Sequence, residues 1–116
     1  MSEYTIYHNP RCSKSRQTLT ILQENGIQPE VILYLETPLD TNELSSLTKK
    51  LGVKARDLLR KGEDEYKQLG LKDPSISETD ILDAMFRHPK LIERPIVVKG
   101  DNAVLGRPPE NVLELI

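Results

Sequence analysis

The chain has 116 residues, a formal net charge of -2 and 29% charged residues, which suits one domain with a modest core and indicates neither a general nucleic-acid binder nor an acidic tail. The start MSEYTIYHNP lacks the basic-then-apolar order of a secretion signal, and no apolar run approaches a membrane span in length. A single cysteine makes no internal disulfide, so the framework of small secreted proteins is excluded and the cytoplasm is the default location.

YTIY (Tyr4–Tyr7) is short, β-branched and aromatic, and predicts a strand that Asn9-Pro10 stops. SKSRQTLTILQENG carries Leu19 and Leu22 at helical spacing and predicts a helix closed by Gly26. EVILYL (Glu30–Leu35) is almost continuously apolar, as a strand covered on both faces would be. The opening is thus strand–helix–strand, with a right-handed crossover expected.

LDTNELSSLTKKLG predicts a further helix: Asp40 and Glu43 have capping-box spacing, Leu44, Leu47 and Leu51 share a face, and Gly52 closes it. ARDLLRKG reads as a short helix ending at Gly62, with Arg60 near its close. SETDILDAMFRHP reads as another, begun near Ser77 and ended before Pro89. PIVVKGDNAVLG predicts a hairpin turning through Lys99-Gly100-Asp101-Asn102, and PPENVLELI a last helix with its prolines at the start. The order predicts an α/β fold in one domain spanning 1–116: a mixed β-sheet flanked by helices. This expected order resembles the thioredoxin-like layout, βαβ then ββα, with a helical insertion between the halves.

The only cysteine, Cys12, falls at the expected N-terminus of the first helix, among His8, Arg11, Lys14, Ser15 and Arg16. A thiolate is the nucleophilic form, and free N–H groups with the helix dipole favour an anion there. Ser15 can turn its hydroxyl toward the sulfur, and a protonated His8 can add positive charge. The plain alternative is a buried structural thiol, which polar and basic neighbours fit poorly.

Spacing excludes several chemistries. The tyrosine-phosphatase pattern assigns to arginine the position held by Thr18, and C-x-x-C fails at Ser15. His8, Cys12 and His88 do not make a metal set, so no metal is expected. There is no Gly-rich nucleotide loop.

Arg60, Arg94 and Arg107 are each explicable as a helix-end or loop charge. Arg94 and Arg107 precede prolines, however, and stand on restricted backbone. Guanidinium groups match a tetrahedral oxyanion bidentately. A nucleophilic sulfur with several such groups suits a small oxyanion.

YHNPRCSKSR, LLRK, ERPIVV and LGRPPE resemble, in order and over nearly the whole chain, the glutaredoxin-linked arsenate reductases of the ArsC type, in particular the short chromosomal-type members. The resemblance implies a reductase in which Cys12 attacks arsenate, His8 and Ser15 help stabilise the thiolate, and Arg60, Arg94 and Arg107 hold the oxyanion. Pro95 matches the proline that is cis in this fold. The implied route uses no bound cofactor. Glutathione is the co-substrate, it attacks a thiol–arsenate adduct, and glutaredoxin clears the mixed disulfide. A monomer acting on arsenate in the cytoplasm, without nucleic acid or membrane, is expected. Two other readings use the same fold: a thiol-transfer protein, and a redox-sensing binding module whose usual C-x-x-C switch Ser15 breaks.

Overall fold

The computed structural model describes residues 3–116. The chain packs as two compact units, one of residues up to Thr37 with Arg94–Ile116, the other Pro38–Glu93.

The first unit holds β1 (Tyr4–Tyr7), α1 (Ser13–Glu24), β2 (Glu30–Ile32), β3 (Ile96–Lys99) and β4 (Asn102–Leu105). The sheet runs β2-β1-β3-β4. β1 pairs parallel with β2 and antiparallel with β3, which pairs antiparallel with β4. This mixed sheet is the thioredoxin-like arrangement expected. Tyr4 and Ile6 alternate inward along β1 and pack with Leu22 of α1, Val97 of β3, and Val112 and Leu115 near the C-terminus. The Tyr4 hydroxyl stays satisfied by donating to the Leu115 carbonyl at 3.1 Å. The hairpin needs only Gly100 and Asp101 between its strands, with Gly100 at φ 60° supplying the left-handed residue such loops favour.

β2 is a largely exposed edge strand that ends at Ile32, not a two-sided strand through Leu35. The Leu33 carbonyl takes the Glu36 and Thr37 N–H groups, both at 2.9 Å, so the chain turns. The last helix is a 3₁₀ segment, Pro109–Leu115. Its buried residues are Pro109, Val112 and Leu115, spaced by the three residues of a 3₁₀ turn rather than the 3.6 of an α-helix.

The second unit holds α2 (Thr41–Leu51), α3 (Asp64–Gln68) and α4 (Glu78–Arg87), with 3₁₀ turns at Ala55–Leu58 and Pro89–Leu91. Asp40 caps α2 by accepting the Glu43 N–H at 2.8 Å, and Gly52 closes it at φ 71°. Ser77 caps α4 through the Asp80 N–H. Leu44 and Leu47 of α2 and Ile81, Leu82 and Met85 of α4 are buried. The helix expected over ARDLLRKG stops at Leu58. The backbone there is claimed by a distant segment: Glu93 N–H donates to the Leu58 carbonyl at 2.7 Å and Arg60 N–H to Leu91 at 2.8 Å. Leu59 and Ile92 therefore pair as extended chain. Arg60 hangs from that pairing, not from a helix end. Helix α3 was not expected; its five residues DEYKQ bury nothing, so no apolar period marks them.

Candidate active site

Cys12 is the N-cap residue of α1, in extended conformation at φ -92° and ψ 122°, and its carbonyl accepts the first helical bond from Arg16 N–H at 3.0 Å. The thiol is partly exposed. No capping hydrogen bond of good geometry reaches the sulfur, so the helix N–H groups act on it as oriented dipoles. Burial is the largest single influence and pushes the thiol pKa up. It is outweighed by the Ser15 N–H, by the hydrogen bond and charge of the Arg94 guanidinium, and by the Lys14 N–H. The net result is a pKa below that of an ordinary thiol.

Ser15 is fully buried and does a different job from the one expected. Its hydroxyl oxygen lies 2.6 Å from Nδ1 of His8 and accepts the Asn9 N–H at 3.1 Å. The backbone of Ser15, not its hydroxyl, faces the sulfur. His8 is 6% exposed, and burial lowers its pKa. Burial thus favours the neutral imidazole, which braces the loop through Ser15. Asn9, expected only to help stop the first strand, is buried too, and its Oδ1 accepts the Arg11 N–H at 3.0 Å. The hydroxyl, imidazole and amide together fix the turn that aims Cys12.

The Arg94–Pro95 peptide is cis, and so is Arg107–Pro108, the second unexpected from the sequence. Arg107 Nη1 donates to the Arg94 carbonyl at 3.3 Å. Cys12, Arg94 and Arg107 thus form one connected group. Arg60 belongs to the second unit, where its Nη1 pairs with Glu93 Oε1 at 3.0 Å and its Nε lies 3.8 Å from Glu63 Oε1. Glu93, immediately before Arg94 in the chain, carried no signal of its own as a partner for Arg60.

Two further residues escaped the sequence reading. Thr18 is buried, and no side chain fits at Gly106, where a Cβ would meet Thr18 and Pro95. A glycine ahead of Arg-Pro-Pro was the only hint. A cleft of about 820 Å³ lies at the β3–β4 hairpin, the far end of the strands, and none of the candidate site residues lines it. A smaller cleft of about 240 Å³ is bordered by His8, Asn9, Arg11, Leu33 and Glu36.

The model of the ArsC family matches residues 7–115. The chain belongs to the ArsC family. This ArsC-family chain is 49% identical over 112 residues to an arsenate reductase of Haemophilus influenzae, covering 96% of this chain and 97% of that one. It is 59% identical over 112 residues, 96% of this chain and 94% of the relative, to YfgD of Escherichia coli, described as an uncharacterized protein. Among solved structures, an arsenate reductase from Vibrio cholerae superposes with a TM-score of 0.95 at 51% identity, covering 97% of each chain. The match spans both compact units, so the thioredoxin-like assignment holds along the ArsC-family chain. Among the described residues, no helix is long and apolar enough to cross a membrane.

Proposed function

We propose that the chain reduces arsenate to arsenite, with Cys12 as nucleophile and glutathione and glutaredoxin as the source of reducing thiols. The observation that carries the proposal is the Arg94 guanidinium on a thiol whose pKa is lowered, at the N-terminus of α1. Family membership and the named arsenate reductases among its relatives support the choice of oxyanion.

The Cys12 thiolate attacks arsenic(V), an S–As bond forms, and an arsenic-bound oxygen leaves as water after protonation. A glutathione thiolate then attacks the Cys12 sulfur. The S–As pair of electrons stays on arsenic, which departs as arsenite, leaving a disulfide between Cys12 and glutathione. The two thiols have together supplied the two electrons. Glutaredoxin takes the glutathionyl group and frees Cys12. With one cysteine in the chain, the second electron must come from an outside thiol.

Arg94 and Arg107 hold the oxyanion in this scheme through paired N–H donors, which strengthen as charge builds at the reacting oxygens. Arg60 is assigned the third guanidinium by the family resemblance. His8 and Ser15 hold the nucleophile loop. The cytoplasm suits this chemistry, because glutathione keeps free thiols reduced there. Intact-mass spectrometry tests the sequence of steps: arsenate with glutathione should convert Cys12 to its glutathione mixed disulfide and release arsenite, and glutaredoxin should reverse the mass gain. Arsenite release without any added thiol would contradict the scheme.

A further inference from the structure

Three segments of the first unit converge on Gly106. Its N–H donates to the Pro95 carbonyl at 2.9 Å, and its carbonyl lies 3.4 Å from the Thr18 hydroxyl. That hydroxyl also donates to the Lys14 carbonyl at 2.8 Å. A methyl group added at Gly106 would overlap Thr18 Oγ1 and stand 2.7 Å from Pro95 Cγ and 3.0 Å from Thr18 Cγ2. There is no slack at this point, and close-packed interiors transmit displacement rather than absorb it.

Each converging segment carries one group that acts at the sulfur or its surroundings. Lys14, held by Thr18, offers its N–H to Cys12; Arg94, bonded to Cys12, directly precedes Pro95. Arg107 directly follows Gly106 and donates back to the Arg94 carbonyl. A threonine hydroxyl bonded to the carbonyl four residues earlier is common on helices and means little by itself. Thr20 does the same toward Arg16 at 3.0 Å on an exposed side chain, with no second partner. Thr18 differs in being fully buried and in touching the loop that carries Arg107.

We propose that Thr18 and Gly106 form a joint that sets where Arg94 and Arg107 stand relative to Cys12, which makes them positioning residues for chemistry at that sulfur. The inference rests on the proposed function only for its activity readout. Its thiol readout is independent of any substrate.

The test compares Gly106→Ala, Thr18→Val and the double variant Gly106→Ala/Thr18→Ala, with Thr20→Val as control. The pH dependence of Cys12 alkylation by iodoacetamide and arsenate kcat/KM in a glutathione–glutaredoxin assay are measured, with thermal denaturation as a check on folding. Gly106→Ala should raise the alkylation midpoint and lower kcat/KM by roughly ten- to a hundredfold, the scale of loss from displaced binding groups. The double variant should recover part of both, because space opens beside Thr18 while the Pro95 contact remains. Thr18→Val keeps the side-chain volume but turns a methyl toward the Gly106 carbonyl, and should move both readouts the same way by less. Thr20→Val should move neither. Folded Gly106→Ala and Thr18→Val proteins with the parent midpoint and kcat/KM would overturn the inference. Should Gly106→Ala not fold, Thr18→Val alone decides by the same criterion. Shifted midpoints in a protein whose parent form never turns over arsenate would leave the joint standing and remove the proposed function.

Discussion

The Ser15 hydroxyl lies 2.6 Å from Nδ1 of His8, with both side chains buried. This contact separates stability of the loop from activation of the thiol, because what Ser15 offers the sulfur is its backbone N–H. Ser15→Ala keeps that N–H. It leaves His8 Nδ1 and the Asn9 N–H without their shared partner, and unmade buried hydrogen bonds cost about 1–3 kcal/mol. Chemical denaturation of Ser15→Ala should show a loss of that size. The alkylation midpoint of Cys12 should stay close to the parent value.

The neutral imidazole has its own pH signature. Burial lowers the His8 pKa below its ordinary 6.5, so the unfolded chain binds a proton more readily than the folded one. The stability that His8 contributes is complete above the unfolded value and is lost as pH falls below it. NMR titration of the ring should give a midpoint below the ordinary 6.5, and His8→Ala should flatten the acid limb of the stability profile. A His8 midpoint above the ordinary value would restore a cationic role beside the thiolate.

Arg94 is the side chain that lowers the Cys12 pKa. Arg94→Ala should raise the midpoint for alkylation, and Arg94→Lys should raise it less, since a point charge remains while the forked donors are lost. The folded thiol pKa being lowered, the thiolate contributes stability that is complete above the unfolded thiol value, about 8.5, and is lost as pH falls through the folded midpoint. An unchanged midpoint in Arg94→Ala would remove Arg94 from the activation of Cys12.

Helix α2 offers a prediction apart from the chemistry. Asp40 Oδ1 accepts the Glu43 N–H at 2.8 Å, and replacing such a cap by alanine costs about 1 kcal/mol. Asp40→Ala should lower the denaturation midpoint accordingly, and Asp40→Asn should restore most of it.

Much of this structure is legible in the sequence where a local rule acts alone. Tyr4–Tyr7 alternates and forms β1, Asp40 and Gly52 bracket α2, and Cys12 before an amphipathic run marks the start of α1. The reading fails where distant backbone competes. Leu58 and Arg60 give their hydrogen-bonding groups to the Leu91–Glu93 segment, so a helical pattern becomes extended chain. An apolar run such as EVILYL cannot declare whether its strand is central or at an edge. At the site, residue types are legible but burial and partners are not. His8 sits in a basic stretch, and neither the burial that further favours its neutral form nor its contact with Ser15 is legible there. Thr18 and Gly106 carry no chemical signature, because their role depends on a contact across 88 positions of sequence.

The central claim is that Cys12 reduces arsenate with electrons drawn from outside thiols, and arsenate-dependent NADPH oxidation in a mixture with glutathione, glutaredoxin and glutathione reductase tests it most directly. The account predicts oxidation that requires arsenate, glutaredoxin and the protein together, is abolished in Cys12→Ser, and is weakened in each of Arg60→Ala, Arg94→Ala and Arg107→Ala. No arsenate-dependent oxidation by the folded protein, while Cys12 still exchanges readily with glutathione disulfide, would contradict it and leave thiol transfer as the activity of this site.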